Sequence, residues 1–360
     1  MKWATATADA GQDMRQKLLL WGGYAVFFVF CFLMFAYLTF PYERLRDIII
    51  DRVSSGSDAS GPKTSIKIDE LSPHWFTGIQ LEGVTVTRTA DATSEPTVIS
   101  INEVTLRAAP LAYVFGDIQV SFGAETTDGS LDGTYESDKE GKAKHVVAEL
   151  DALDLGQMGL GSFLGMPLAG VATGTIDLDL PEEVSGSSGN IDLEIQGLTL
   201  GDGKNKMKIP GMAGGLTLDA IDAGTLKVKM SLKEGVAAIE TFEAKGKDLV
   251  LDGSGSLRLA TPFDRSRADL TIGFKLEDSY RNKSEKTKIA LELMNGNPLM
   301  KSATGADGMT RLQLSGVVTM LRPRAAAPGG AAAKKAKPAK AKKKKKGAQP
   351  AAEEEAAEEP

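Results

Sequence analysis

Residues 189–197, GNIDLEIQG, alternate apolar and polar side chains without interruption between two glycines. In an extended chain, successive side chains point to opposite sides, so Ile191, Leu193 and Ile195 lie on one face and the polar residues between them lie on the other. A period of two is typical of a β-strand that has one buried face and one solvated face. This stretch therefore predicts the unit from which the fold is built.

The same alternation recurs from Ser65 to about Leu321. Several strands open on a glycine, as in GTIDLDL from Gly174 and GSLRL from Gly255, but the irregular spacing argues against a fixed-period solenoid. The pattern predicts an all-β domain, a long and mostly antiparallel sheet that is either curved or folded into a sandwich. The residues that we predict to share its apolar face are Ile176, Leu178, Leu180, Ile191, Leu193, Ile195, Leu226, Val228, Met230, Leu270, Ile272 and Phe274.

Few helical patterns interrupt the alternation. APLAYVFG, around Leu111 to Phe115, and the glycine-rich residues 153–170 predict short helices. Residues 289–293, IALEL, continue the period of two and predict another strand. The apolar face of such a sheet must be covered by a second layer or by a ligand, and the sequence leaves both possibilities open.

Residues 18–40 contain no charge and as a helix would extend over roughly 30 to 35 Å, which is one membrane crossing. The run ends in bulky side chains rather than in a small-residue cleavage site, which predicts an uncleaved anchor. Arginine and lysine residues flank it equally on both sides, so charge alone does not orient it. The anchor residues are Leu18, Trp21, Tyr24, Phe28, Cys31, Phe35 and Phe40.

The composition divides the chain further. PYERLRDIIIDRV puts Leu45, Ile48, Ile49 and Val53 on one helical face, which predicts that the anchor helix continues beyond the membrane. The alanine-, lysine- and glutamate-rich end offers no apolar face and is predicted to be disordered. The predicted segments are residues 1–17, a transmembrane helix at 18–40, a juxtamembrane helix and linker at 41–64, the β-rich domain at 65–321 and the tail at 322–360.

The sequence offers little for catalysis. Two histidines and one cysteine, Cys31 inside the anchor, make neither a zinc site of the usual spacing nor a disulfide. The nearest phosphate-loop match, GSDASGPKT at residues 56–64, is interrupted by Pro62. The alternating aspartates fit a solvated strand face, and the lysine run lacks the aromatic residues that stack on bases. We therefore predict no enzyme activity, no metal or other cofactor and no nucleic-acid partner.

His74 and Trp75 stand just before a predicted strand, in LSPHWFTGIQLEGVTV. A histidine beside aromatic residues is more often packed in a turn than reactive. Trp75 is predicted to plug the core at the entrance of the domain.

Four stretches carry a resemblance to a known family: FPYERLRDII, LSPHWFTGIQLEGVTV, LDLGQMGLGSFLGMPLAGVATGTIDLDLP and DGMTRLQLSGVVTMLRPRAAAP. Over residues 15–325 the chain resembles the type II secretion system protein N family, and its glycine-led strands are similar to those of the wider AsmA-like group. The resemblance implies a single-pass protein of the bacterial inner membrane, with residues 1–17 in the cytoplasm and the β-rich domain in the periplasm.

Two functions follow from these resemblances. In the first, the domain docks other secretion-system subunits by its edge strands or loops and supports export of folded proteins across the outer membrane. In the second, AsmA-like function, the apolar face carries lipid between membranes along a groove. Both functions put the same residues on the same face, so the sequence does not separate them.

Overall fold

The structure is a computed structural model of the 360-residue chain that describes residues 6–55, 63–75, 77–89, 97–159, 161, 167–204 and 217–326. It begins with α1 (Ala6–Thr39), which starts before the predicted Leu18. A separate helix, α2 (Tyr42–Ser55), follows, so the prediction of a continuous anchor helix is wrong. Pro41 explains the break, because proline disfavours helical geometry in the residue before it and lacks an N–H.

Fifteen strands form one sheet in which every neighbouring pair is antiparallel. The strands are β1 (Lys63–Lys67), β2 (Glu70–His74), β3 (Gly78–Thr89), β4 (Thr97–Ala108), β5 (Asp117–Glu125), β6 (Ser130–Asp138), β7 (Lys144–Asp154), β8 (Leu168–Leu180), β9 (Ser188–Leu200), β10 (Ile221–Lys233), β11 (Val236–Lys245), β12 (Leu249–Arg258), β13 (Arg267–Leu276), β14 (Thr310–Val317) and β15 (Arg322–Ala325). The predicted all-β, antiparallel fold is confirmed.

The order is a meander from β3 to β15, with β1 and β2 both paired to β3. Such an order places alternate connections at two opposite rims. The first rim is the edge that holds the turns β2–β3, β4–β5, β6–β7, β8–β9, β10–β11, β12–β13 and β14–β15. The second rim holds the other connections from β3–β4 onward, among them the long β13–β14 segment, whereas β1 and β2 follow one another along β3. At about 4.8 Å per strand, the path from β1 to β15 is roughly 60 Å long.

Helices are few in the described residues of the sheet domain. They are α3 (Pro110–Phe115), α4 (Asp278–Arg281), α5 (Glu285–Gly296) and α6 (Pro298–Ala303). The α3 helix was predicted, and it lies in the β4–β5 connection at the first rim. The other three belong to the β13–β14 connection at the second rim.

Residues 289–293 lie in α5, so the strand predicted there is wrong. The Ser284 side chain caps this helix by accepting a hydrogen bond from the Thr287 amide. Thr287, Ala290 and Leu291 turn towards the sheet at helical spacing, while Ile289 is 58% exposed. A short apolar alternation fits both periods, and the cap decides in favour of the helix.

The boundaries of the sheet also differ from the prediction. β1 begins at Lys63, and residues 322–325, assigned to a disordered tail, form the edge strand β15. The phosphate-loop-like residues 56–62, the predicted helical residues 162–166 and the tail from residue 327 onward lie outside the described residues.

Glycines of the apolar face allow tight bending of the sheet. Gly174 in β8 has φ +153°, and a Cβ atom there would lie 2.1 Å from the carbonyl oxygen of Asp192 on β9. Gly255 in β12 has φ +136° and would place a Cβ 2.2 Å from the carbonyl oxygen of Asp269 on β13. A side chain fits at neither position, so the glycines that open the repeated pattern permit close strand approach and curvature.

Candidate functional site: an apolar groove

The strand register brings the predicted apolar residues together. Met230 on β10 is opposite Ile191 on β9, which is opposite Ile176 on β8. Directly opposed residues share a face of the sheet. The same holds for Leu193 with Val228 and for Ile195 with Leu226.

The face continues to the later strands. Across β11 and β12, Met230 leads through Ile239 and Gly255 to Leu270 on β13. Phe274 joins the same face through its pairing with Leu251. All twelve predicted residues therefore lie on one continuous apolar face, with Leu178 and Leu180 at the first-rim end of β8.

This face is only half-buried over most of its area. Of the twelve predicted residues Leu226 is buried, at 8% exposure, and the other eleven are intermediate. A closed sandwich would bury both inner faces between two sheets. Among the described residues there is one sheet, and helices cover only parts of its apolar face.

The half of the face near the second rim is covered. Leu198 and Ala223, at 3% and 0% exposure, pack with Tyr280 of α4 and Ala290 of α5. Further along, Met300 and Ala303 of α6 cover Leu312 on β14. These helices close the second-rim side of the sheet from β9 to β14.

A polar cluster fixes this helical cover. The Tyr280 hydroxyl donates a 2.7 Å hydrogen bond to the Asp219 carbonyl, and burial raises the pKa of Tyr280 to about 12. The hydroxyls of Ser284 and Thr287 both donate to the Asp219 carboxylate, which lowers its pKa. The first turns of α4 and α5 are thereby tied to the segment that precedes β10.

Asp248, in the β11–β12 turn, completes the cluster. Its carboxylate accepts hydrogen bonds from the Asp222 amide at 3.2 Å and from the Lys283 ammonium at 3.1 Å. Burial alone would raise the pKa of Asp248, but these two donors outweigh it and hold the pKa below its ordinary value. Every group in the cluster has a structural partner, which indicates a clamp rather than a reactive centre.

The half of the face near the first rim has no helical cover, although Leu232 at the end of β10 is only 5% exposed. A cavity of 560 Å³ lies there against the ends of β8 to β12. Both strand residues and first-rim turns line the cavity, and Val184 and Phe263 belong to those turns. The strand residues of the lining include Leu178, Leu180, Ile191, Met230, Leu232, Ala237 and Leu257. Its size is within the usual range of ligand sites, about 300–1,000 Å³.

Helix α2 covers the other end of the apolar face. Tyr42, Leu45, Ile49 and Ile50 pack against the apolar side chains of β1 to β4. Ile48, predicted on the same face, is instead 62% exposed, and the likewise predicted Val53 is 41% exposed. The packed positions follow the helical spacing from Tyr42, which the sequence prediction omitted.

The opposite face of the sheet is polar. Lys229 lies directly opposite Asp192, and their side chains form a 2.6 Å ion pair. His145 and Asp177 stand 3.9 Å apart on β7 and β8. The alternating aspartates thus lie on an exposed outer face, as expected from the period of two.

The other predicted positions have simple surroundings. His74 hydrogen-bonds Gln80 at 3.2 Å at the end of its strand. Trp75 is 68% exposed at positive φ, so its prediction as a core plug is wrong. In the described part of the chain, no three histidine, cysteine, aspartate or glutamate residues cluster to hold a metal ion.

Among the described residues, one helical segment, Leu20–Thr39, is long and apolar enough to cross a membrane, with a mean hydropathy of 1.9. The predicted anchor side chains Trp21, Tyr24, Phe28, Phe35 and Phe40 are between 48% and 75% exposed, and Cys31 is intermediate. The side chain of Leu18 lies outside the described residues, although its backbone belongs to α1.

Sequence reasoning missed the helical cover and its polar clamp. The Ser284 cap before Glu285 was the available signal for α5. No local pattern pointed to Asp219 or Asp248, because their partners lie 61 and 35 residues away in the chain. Comparison of the chain with protein-family models, with curated proteins and with solved structures found no match.

Proposed function

We propose that the sheet domain binds the acyl chains of lipids in its apolar groove and carries them, as a non-enzymatic protein anchored to a membrane by α1. The observation that supports this function is the division of one apolar face. Helices cover it near the second rim, whereas a 560 Å³ cavity lies against it near the first rim. Large half-exposed apolar surfaces in proteins usually have a ligand or a partner.

The dimensions suit an acyl chain. Half the hydrocarbon thickness of a bilayer is about 15 Å, so one chain laid along the groove would cross about three strands. The apolar positions continue from strand to strand without a charged residue at Ile176, Ile191, Met230, Ile239 or Gly255. A lipid tail along this row meets only uncharged groups, and the charged lining residues Lys142, Lys144 and Glu182 lie at the first-rim end of the cavity.

Site-specific photo-crosslinking tests the proposal. A benzoylphenylalanine at Ile191, on the groove face, should capture phospholipid from intact membranes on irradiation, as detected by mass spectrometry of the purified full chain. The same group at Asp192, one residue along and on the outer face, is the matched control. Equal lipid capture at both positions, or none at Ile191, would contradict the proposal.

For location we propose the bacterial inner membrane, with the sheet domain in the periplasm, following the family resemblance. A reporter that is active only in the periplasm, fused after Ala326, should be active. An inactive fusion of a stably produced protein would put the domain on the cytoplasmic side.

The resemblance over residues 15–325 also supports the secretion function, in which the domain docks other secretion-system subunits. Strand addition is an unfavourable mode for it, because one edge of the sheet is interrupted and packed by a helix and the other edge is short. β1 and β2 lie one after the other along β3 with a break at Ile68 and Asp69, and α2 packs against both, while β15 has four residues, including Pro323 without an N–H. Docking would then use the turns.

Deletion of the gene separates the two functions. Accumulation of folded exported proteins in the periplasm with an intact outer membrane would favour secretion. Normal secretion with a leaky outer membrane would favour lipid carriage.

A further inference from the structure

The first rim concentrates exposed apolar side chains. Outside α1, the large apolar residues of the described chain that are at least 60% exposed are Ile48 on α2 and seven residues in first-rim turns. Those seven are Trp75, Leu111, Tyr113, Val114, Phe115, Phe263 and Met320. The described turns of the second rim hold none above this exposure, although Ile289 and Leu293 of α5 reach 58% and 55%.

Helix α3 is the centre of this distribution. It has no buried residue and no charged residue, and Phe115 at its end is 82% exposed. Pro110 at its first turn and Gly116 in the left-handed conformation at its end give it firm boundaries. The helix is thus held in shape while its apolar side chains contribute nothing to the core.

The neighbouring turns hold α3 in place and extend its surface. The Thr77 carbonyl accepts a 3.2 Å hydrogen bond from the Ala108 amide, which brings the Trp75 turn beside the start of α3. At the other end, the Gly116 carbonyl accepts one from the Lys139 amide. The Lys139 ammonium lies 4.9 Å from the centre of the Tyr113 ring, so a cation stands at the edge of the apolar patch.

The composition of the patch matches a bilayer interface. Tryptophan and tyrosine favour the headgroup region, aliphatic residues favour the acyl region below it, and lysine extends towards the water. The patch also borders the apolar face of the sheet, where Leu106 and Ile118 remain 37% and 36% exposed.

The chain itself brings this region to a membrane. Only Phe40 and Pro41 separate α1 from α2, and α2 packs on β1 to β4, the strands beside α3. The short connection holds these first strands close to the bilayer that α1 enters. Because α1 and the sheet domain belong to one chain, the bilayer that α1 enters is the partner nearest to the patch.

We propose that α3 and Trp75 form a docking surface that inserts into the interface of the same bilayer that α1 spans. Docking would set the first-rim side of the groove against the lipid that it is proposed to bind. Insertion itself does not depend on lipid in the groove, so the two proposals fail separately.

The test uses the full chain in a Cys31→Ser background, reconstituted into phosphatidylethanolamine–phosphatidylglycerol vesicles. Phe115→Cys carries an environment-sensitive NBD label, and Thr127→Cys in the exposed β5–β6 turn of the second rim is the matched control. We expect blue-shifted emission at position 115, quenched by doxyl-labelled acyl chains in the same vesicles, and water-like emission at position 127. Adding Leu111→Ser and Val114→Ser should abolish both effects at position 115.

Three results would overturn the proposal. Water-like emission at position 115 would show that the patch stays in solvent. Quenching only by doxyl lipid in added protein-free vesicles would assign it to an opposing bilayer. A blue shift that increases with protein concentration and is not quenched by doxyl-labelled lipid would show that the patch binds a second copy of the chain. Lipid capture at Ile191, measured in parallel, reports on the groove alone.

Discussion

Leu226 and Met230 lie on the same strand and on the same face of the sheet, but helices cover only Leu226. Leu226 is 8% exposed beneath α4 and α5, whereas Met230 is half-buried and lines the cavity. Their local sequences follow the same alternation, with Lys227 and Lys229 between apolar residues. The alternation therefore determines which face is apolar, and a segment from elsewhere in the chain determines how much of that face is buried.

That segment is the β13–β14 connection. It supplies Tyr280 and Ala290 to the second-rim half of the face, while the first-rim half receives only short turns. A groove thus results from covering one half of a sheet with helices and leaving the other half without a helical layer. The following predictions test this division.

The largest difference is expected between truncations on β10. Leu226→Ala should lower the free energy of unfolding by about 2–4 kcal/mol, because it empties a packed site that the clamped helices cannot fill. Met230→Ala should lower it by about 1 kcal/mol or less, because the cavity already adjoins that side chain. Denaturant unfolding of the full chain in detergent measures both.

An outer-face substitution, Lys227→Ala, controls for changes in strand propensity. Equal decreases in the free energy of unfolding for Leu226→Ala and Met230→Ala would mean that the first-rim half of the face is packed as tightly as the second-rim half.

A second test concerns the curvature that shapes the groove. Gly174→Ala should destabilise the domain by about 2 kcal/mol or more, because its Cβ would overlap the backbone of β9. Gly197→Ala is the control: it also has positive φ, at +63°, but nothing lies within 4 Å of its added Cβ. The Tm of Gly174→Ala should therefore be lower than the Tm of Gly197→Ala. The reverse order would argue against close strand approach at β8.

The third test removes the cover by acid. Hydrogen bonds from Ser284 and Thr287 hold the pKa of Asp219 below its ordinary 3.8. Such a group contributes its stability fully above that value, and the contribution disappears as the pH falls through the lower folded pKa. The protection factors of the α5 amides, which compare the observed with the intrinsic exchange rate at each pH, should therefore fall below about pH 4.

In an Asp219→Asn variant, the protection factors of the α5 amides should be lower at neutral pH and should change less with acid. Acid-independent protection of α5 in the unsubstituted chain would show that Asp219 does not hold the cover.

Sequence reasoning was effective where the signal was local and periodic. Ile176, Ile191 and Met230 were assigned to one face by alternation, and their register confirms it. The same reasoning failed for residues 289–293, since three alternating apolar residues also fit a helix once Ser284 provides a cap. The period alone could not distinguish the two.

The site was harder to predict than the fold because it depends on distant contacts. The Tyr280–Asp219 bond joins residues 61 apart, and no repeat relates them. Large aromatic residues are usually buried, which predicts Trp75 in the core, but its turn at the first rim leaves it exposed. Whether the apolar face was sandwiched or open depended on these non-periodic segments.

The smallest effect is expected on the outer face, which runs unchanged behind both halves. Lys229 and Asp192 lie behind the open half, and their side chains are 51% and 54% exposed. Coulomb attraction between solvated groups is screened, and ordering two side chains offsets much of it. A double-mutant cycle with Lys229→Ala and Asp192→Ala should therefore give a coupling within the error of denaturant unfolding at physiological salt. A coupling comparable to the Leu226→Ala loss would mean that outer-face pairs, rather than the helical cover, distinguish the stability of the two halves.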